Sequence, residues 1–219
     1  MGNNMSNQMI LRHSGPSPFC RKVDIVAKHH RLVGPITAQD VDMNDENETL
    51  RLQNPLGKIP ALILENGQNI YDSQVIVEYL EDIGNGAALM PSGAGRIETL
   101  TQYALANGMT EACLLVVYEK RMRPEDKYHQ GFVDYQLGKI GRGLDRVLSD
   151  LPSLERLDIA NITTAVMLEY MDLRVNEDLR DGTELGANRG TWRTSHAGLA
   201  DWLAGFEKLC PYFGETRPY

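Results

Sequence analysis

Short apolar runs and longer helical patterns alternate along the first third of the chain. Apolar and β-branched residues cluster in four short runs, which predict strands at residues 9–11, 35–41, 61–64 and 69–71. The stretches between and after these runs predict helices at residues 18–30, 44–52 and 73–83. The helix at residues 44–52 is short and polar. Helices between the early strands favour parallel pairing, whereas a turn containing Gly67 favours an antiparallel hairpin. The pattern predicts an α/β domain over residues 9–84, with a mixed sheet and helices on its faces.

The pattern becomes purely helical after a stretch rich in Gly and Pro. That stretch, residues 85–95, has the composition of a domain linker. Beyond it the chain predicts helices, with no competing strand pattern, at residues 96–122, 126–148, 159–173 and 197–209. We therefore expect an all-helical bundle as the C-terminal domain, over residues 96–219. Residues 1–8 are polar and lack the charged and apolar regions of a signal peptide, so they predict a flexible N-terminal extension.

Charge and composition narrow the class of function. The formal net charge is -8 over 219 residues and no basic stripe is present, which argues against a nucleic-acid partner. Residues 120–123 are mostly basic, but acidic neighbours flank them, as on a solvated helix end. No apolar run is long enough to span a membrane. The 3 cysteines lie far apart, which argues against a disulfide framework and favours a reducing cytoplasm.

The sequence predicts neither a metal site nor a dinucleotide site. None of the histidines has the spacing of metal ligands: His13, His29, His30, His129 and His196. The glycines at 138, 141 and 143 match neither a phosphate loop nor a dinucleotide fingerprint, and they favour close helix packing instead.

The segment Ser17-Pro18-Phe19-Cys20 follows the first predicted strand and opens the first helix. Proline suits the first helical position and holds the preceding residue extended, so Ser17 is predicted to cap the helix. A thiolate bound there would be stabilised by the positive end of the helix and by the Ser17 hydroxyl. A plain N-cap serine fits the same residues. Cys20 has no second cysteine for a redox pair, which leaves a buried small side chain or a nucleophile as its role.

Two further segments could hold a peptide. Ile59-Pro60 stands just before the third predicted strand. If its bond is cis, the Ile59 backbone could pair with an extended peptide ligand, whereas a trans proline would simply enter an edge strand. Asp72-Ser73 opens the third predicted helix. A serine cap with free N–H groups behind it is a carboxylate site, and Asp72 could pair with an amine; simple helix capping is the alternative.

Together, in this order and spacing, these segments resemble the glutathione transferase family. The resemblance runs through S-P-F-C-R-K-V, N-P-L-G-K-I-P-A-L and Y-D-S-Q-V-I-V-E-Y-L, and extends more weakly over the helical domain. It is similar in detail to bacterial members with an active-site serine. It implies a thioredoxin-like N-terminal domain, a cis bond before Pro60, and a homodimer. The family's Ser or Thr with Asp at the core-helix start is replaced here by Asp158 and Asn161, a variant cap.

The resemblance also implies roles for individual residues, with glutathione as the co-substrate. Ser17 would hydrogen-bond the glutathione sulfur, and the Ile59 backbone would hold the cysteinyl part. Asp72 and Ser73 would hold the γ-glutamyl end, and Lys58 would lie near the glycine carboxylate. The implied reaction joins the glutathione thiolate to a hydrophobic electrophile.

The second-substrate pocket and the rival functions remain open in the sequence. The pocket candidates, for which core packing is the alternative, are Phe19, Tyr103, Met109 and Tyr118. One rival function is glutathione-dependent thiol transfer or peroxide reduction at Cys20. The other is a non-catalytic module that keeps the fold for binding or regulation, since fold does not fix function.

Overall fold

The chain divides into two compact units. The computed structural model describes residues 8–42, 45–175 and 191–218. Most of the extension predicted at residues 1–8 lies outside the described residues. The first unit holds the described residues up to Leu89 together with those from Pro211 onward, and the second unit is Met90–Cys210. The sequence pattern predicts a single boundary, but the structure returns the C-terminal segment to the first unit.

Four strands form the sheet of the first unit, in the order β2-β1-β3-β4. They are β1 (Met9–His13), β2 (Ile36–Asp40), β3 (Ala61–Ile63) and β4 (Asn69–Ile70). β1 runs parallel to β2 and antiparallel to β3, and β3 is antiparallel to β4. The mixed sheet and the closing hairpin are confirmed. Parallel pairing is confined to β1 and β2: because β3 lies beside β1 rather than β2, its connection is not a crossover between neighbouring strands.

Three helices of this unit come before residue 89, and the two longer ones each bury an apolar face. They are α1 (Pro18–His29), α2 (Leu50–Gln53) and α3 (Ser73–Ile83). α1 and α3 pack against each other. The fully buried side chains at the centre of these two helices include Val23, Val26, Ile76 and Leu80. Burying each of them stabilises the fold by about 1.5–3 kcal/mol.

The helix predicted over residues 44–52 is much shorter in the structure. Residue 44 lies outside the described residues, and helix forms only from Leu50. Ahead of it, the Asp45 carboxylate accepts a hydrogen bond from the Asn47 backbone N–H at 2.8 Å. Such a local turn competes with the helical hydrogen bonds, which explains the late start of α2.

All of the regular secondary structure in the described part of the second unit is helical. The helices are α4 (Arg96–Met122), α5 (Gln130–Ser149), α6 (Ile159–Arg174), α7 (Trp192–Ser195) and α8 (Ala197–Leu209), with single 3-10 turns at Gly93–Gly95 and Glu125–Lys127. The helix predicted from residue 126 starts at Gln130, because the His129 ring accepts the Phe132 N–H at 2.9 Å and caps it there. No described helix has both the length and the apolar character to cross a membrane.

The core helix α6 begins with the variant cap expected from the sequence. The Asp158 carboxylate accepts from the Asn161 N–H at 2.9 Å, and the Asn161 side chain accepts from the Asp158 N–H at 3.0 Å. This reciprocal pair is a capping box, in which Asn161 takes the third helical position, where Glu or Gln is more common.

The C-terminal segment packs on α1, which is why it belongs to the first unit. It contains the short helix α9 (Tyr212–Glu215). The buried guanidinium of Arg21 donates to the Phe213 carbonyl at 2.9 Å, and Phe213 is itself fully buried. Lys28 forms an ion pair with Glu215 at 2.8 Å. The sequence pattern misses this packing because it shows helical character but not the surface on which a helix rests.

Candidate functional site

Ser17 caps α1, as the sequence predicts. Its backbone is extended, with φ -77 and ψ 122, and its side chain accepts from the Cys20 backbone N–H at 3.3 Å. Its own N–H donates to the Ser14 carbonyl at 2.9 Å, which holds the preceding loop in a turn. The half-buried Ser17 hydroxyl therefore sits at the positive end of a 12-residue helix, where a negative charge is stabilised.

Cys20 lies one turn into the same helix and is fully buried. Burial raises the pKa of its thiol to about 12, which outweighs the hydrogen bonds with Ser17 and Ser14 that lower it. At neutral pH the side chain is therefore a thiol out of reach of solvent, and a thiol is a poor nucleophile. Of the two roles that the sequence leaves open, the environment favours the buried small side chain.

The Ile59-Pro60 bond is cis, as the resemblance implies. The buried residue Asn54 organises the turn before this bond. The sequence places Asn54 in the N-P-L-G run but does not reveal what its side chain contacts. Its side chain donates to the Lys58 carbonyl at 2.8 Å and accepts from the Leu56 N–H at 3.1 Å. Within the described part of the chain, the half-buried Ile59 has no backbone partner for its N–H or C=O. The exposed Lys58 stands beside it.

Asp72, not Ser73, caps α3. The Asp72 carboxylate accepts from the Gln74 N–H at 3.0 Å, and Ser73 is the first helical residue, almost fully buried. The prediction of a serine cap was wrong by one position, because the extended residue here is the aspartate and its carboxylate reaches the helix N–H groups. The exposed Asp72 keeps a second carboxylate oxygen for a ligand.

The sheet register brings these three segments to one end of the sheet. Arg12 pairs with Ala61, so the start of β3 lies beside the end of β1. Leu62 pairs with Ile70, so the end of β4 lies at the same end of the sheet. The Ser17 loop leaves β1 there, the Ile59-Pro60 bond enters β3 there, and Asp72 follows β4 there. This end therefore presents two helix N-termini and an open stretch of backbone, an arrangement suited to an anionic peptide-like ligand.

The residues predicted for a second-substrate pocket divide between core and surface. Tyr103 and Met109 are buried within the second unit, so the alternative of core packing holds for both. Phe19 is half-buried on α1 of the first unit. Tyr118, 47% exposed near the end of α4, lines a cavity of about 470 Å³. Its other lining residues are Leu115, Glu119, Met122, Arg123, Pro124, Lys127 and Phe132. The sequence analysis misses Phe132, which lies on α5, because its pocket candidates in the helical domain all come from α4.

Metal-ligating side chains do not cluster in the described ranges 8–42, 45–175 and 191–218. No group of three or more His, Cys, Asp or Glu there could hold a metal ion. What the site offers comes from helix ends, hydroxyl and carboxylate groups, and backbone.

Comparison with known proteins identifies the family. A family model described as "Glutathione S-transferase, N-terminal domain" matches residues 11–88. The uncharacterized GST-like protein YibF of Escherichia coli (strain K12) is 30% identical over 173 residues, which cover 76% of this chain and 83% of that protein.

Two solved structures of one glutathione transferase family member from Pseudomonas fluorescens Pf-5, with different bound ligands, are similar over almost the whole chain. One, with bound glutathione, has a TM-score of 0.84 and 34% identity, covering 97% of this chain and 100% of that chain. The other, with bound S-(propanoic acid)-glutathione, has a TM-score of 0.81 and 33% identity, with the same coverage of 97% and 100%. The chain belongs to the glutathione S-transferase family.

Proposed function

We propose that the protein is a glutathione transferase that joins the sulfur of glutathione to an apolar electrophile. The observation that carries this proposal is the convergence of the Ser17 helix end, the Ile59 backbone and the Asp72 helix end at one end of the sheet. The bound glutathione of the Pseudomonas fluorescens relative supports glutathione as the ligand.

Glutathione is a tripeptide with charged groups at both ends, and each part has a counterpart at the site. The unpaired Ile59 backbone would hydrogen-bond the cysteinyl residue as a short β-bridge. Asp72 would accept from the γ-glutamyl amine, and Ser73 with the first N–H groups of α3 would hold its carboxylate. Lys58 would lie near the glycine carboxylate. These contacts would fix the position of the sulfur.

Ser17 would act on the sulfur. Its hydroxyl would donate to the sulfur, and the positive end of α1 would add to the stabilisation of negative charge, so the pKa of the bound thiol would fall. The thiolate would attack an electrophilic carbon and form a C–S bond while the leaving group departs with its electron pair. The protein forms no covalent intermediate in this scheme, so lowered thiol pKa and proximity supply the rate. The buried, protonated Cys20 does not favour a thiol-transfer mechanism.

The cavity beside Tyr118 is our candidate for the electrophile. Leu115, Met122 and Phe132 give it apolar walls, and the exposed Lys127, whose ammonium lies 3.5 Å from the Asp126 carboxylate, also lines it. We infer that it accepts an apolar body carrying a carboxylate, which Lys127 would meet. A relative that holds S-(propanoic acid)-glutathione, a conjugate with a carboxylate, supports this class. The family also suggests a cytoplasmic homodimer.

Binding and turnover of glutathione test the main proposal. Calorimetric titration of glutathione and conjugation of a generic aryl halide should be measured on wild type, Ser17→Ala and the control Ser14→Ala. We expect Ser17→Ala to bind glutathione but to conjugate about 10- to 100-fold more slowly, the effect of a lost hydrogen bond to a charged group. Ser14→Ala should stay close to wild type. Binding without turnover in wild type would indicate a non-catalytic module, and failure to bind would overturn the proposal.

A matched pair of electrophiles tests the substrate class. An aryl halide and its carboxylate-bearing analogue should be compared on wild type, Lys127→Gln and the control Lys208→Gln, which alters an exposed lysine of α8. We expect Lys127→Gln to slow only the carboxylate-bearing compound. Equal rates for that compound in all three proteins would exclude Lys127 from its recognition.

A further inference from the structure

His13, the last residue of β1, lies between two carboxylates that belong to other elements. Its Nε2 is 2.9 Å from Asp24 Oδ2, on α1, and its Nδ1 is 3.5 Å from Asp40 Oδ1, at the end of β2. The imidazole is only 15% exposed, whereas Asp40 is 87% exposed. This cluster joins strand, helix and neighbouring strand, and the proposed reaction does not use it.

The geometry favours the doubly protonated ring. Ionised carboxylates only accept hydrogen bonds, so both ring nitrogens must carry a proton for both contacts to be made. The pKa of His13 is accordingly raised, first by the hydrogen bond to Asp24 and further by Asp40, against the opposing effect of burial. A neutral ring can keep the short contact with Asp24 but loses the donor for Asp40.

The cluster stands at one end of a very short connection to Ser17. Only Ser14, Gly15 and Pro16 separate the two residues, and Ser17 is already tied back to the Ser14 carbonyl. The hydrogen bond between His13 and Asp24 joins the end of β1 directly to the second turn of α1, and the loop joins the same two elements along the chain. That bond therefore ties the sheet to the helix that Ser17 caps.

Other charged groups lie near this ring. A cavity of about 430 Å³ beside His13 is lined in part by Asp24, Lys28, Glu215 and Arg217. Lys28 and Glu215 form an ion pair at 2.8 Å, so they largely cancel. Arg217, at 5.7 Å from the Phe213 ring centroid, stacks on the C-terminal segment. Asp24 and Asp40 are the carboxylates within hydrogen-bond reach of the ring.

We propose that His13 is a positioning residue for glutathione: its imidazolium holds the end of α1 where the Ser17 hydroxyl meets the sulfur, and the hold weakens when the ring loses its proton. This inference rests on the proposed function, since it assigns the position of Ser17 within that site. His13 does not touch the ligand and takes no proton from it.

The test is the pH profile of kcat/KM for the aryl halide, from pH 6 to 10, with glutathione saturating and the uncatalysed rate subtracted. Wild type should rise as the bound thiol ionises and then fall about threefold to tenfold as His13 deprotonates, the range for a lost or weakened hydrogen bond. His13→Gln keeps a donor for Asp24 but cannot titrate, so it should rise to a plateau near the high-pH rate of wild type. Asp40→Asn, on an exposed side chain, should move the fall to lower pH.

Each outcome decides something different. A fall in wild type that is absent from His13→Gln and shifted in Asp40→Asn supports the positioning role, and loss of fold stability alone produces neither change. The same fall in His13→Gln, or no fall in wild type, overturns this inference while leaving the transferase standing. Absence of any conjugation in wild type overturns the proposed function, and this inference with it.

Discussion

The guanidinium of Arg21 lies 4.3 Å from the centroid of the Phe213 ring and also donates a hydrogen bond to the Phe213 carbonyl. One residue of α1 thus holds both the ring and the backbone of the C-terminal segment. Arg21 is four residues from the helix cap at Ser17, so the segment supports the helix that carries the candidate thiol site. A cation over an aromatic face contributes more when both partners are shielded from water, as they are here.

Replacing Phe213 by Ala should therefore destabilise the protein strongly. We expect the free energy of unfolding to fall by about 3–5 kcal/mol, the usual cost of truncating a buried Phe. Lys28→Gln is the control, because it removes the ion pair between α1 and Glu215 of the same C-terminal segment. Loss of this partly exposed ion pair should cost less than about 1 kcal/mol. Urea unfolding followed by circular dichroism measures both. Equal losses in the two variants would contradict the packing of Phe213.

His13 should make stability depend on pH in a defined direction. Its folded pKa is raised above the unfolded value of about 6.5, so its contribution is fully present below pH 6.5 and is lost as the pH rises through the folded value. We expect the difference in unfolding free energy between wild type and His13→Gln to shrink over that window. A difference that grows with pH would contradict the geometry around the ring.

The cysteines should resist thiol reagents in the folded protein. Cys20, Cys113 and Cys210 are all fully buried, and burial raises the pKa of Cys20 and of Cys113 to about 12. Labelling with an aromatic disulfide reagent should be slow in native buffer and complete in urea, and Cys20→Ala should keep conjugating activity. Rapid labelling of Cys20 in the native state would reopen the thiol-transfer alternative.

Two helical glycines of the second unit should respond oppositely to Ala. A Cβ at Gly143 would lie 2.4 Å from the sulfur of Met109, a buried side chain, whereas a Cβ at Gly108 would have nothing within 4 Å. We expect Gly143→Ala to cost about 1–3 kcal/mol through overpacking, and Gly108→Ala to stabilise by roughly 0.5–1 kcal/mol through helix propensity. Thermal unfolding of the pair checks both signs, and stabilisation by both would contradict close packing at Gly143.

The sequence was most informative where a pattern is local. The order of the four strands and of the longer helices and the Ser17 cap all depend on neighbouring residues, and the structure has them as predicted. Asp158 and Asn161 show the same: two polar residues at the spacing of a capping box form one. The prediction fails by one position at Asp72, because two adjacent residues can each cap a helix and their extended or helical backbone decides between them.

Contacts between distant segments could not be read in the same way. The packing of Phe213 on Arg21, the bracketing of His13 by two carboxylates, and the core position of Met109 each join elements from separate parts of the chain. Apolar periodicity shows that a residue is buried but not what buries it. The cavity beside Tyr118 illustrates this limit, because one of its lining residues, Phe132, comes from the next helix along the chain.

The return of the last residues to the first unit has a consequence for synthesis. During translation the sheet and α1 emerge early, but the segment that covers Arg21 follows the whole of the second unit. Until that segment leaves the ribosome, α1 keeps an open surface, although the sequence of the second unit is already complete. The part of the chain that is translated first is therefore the last to be completed.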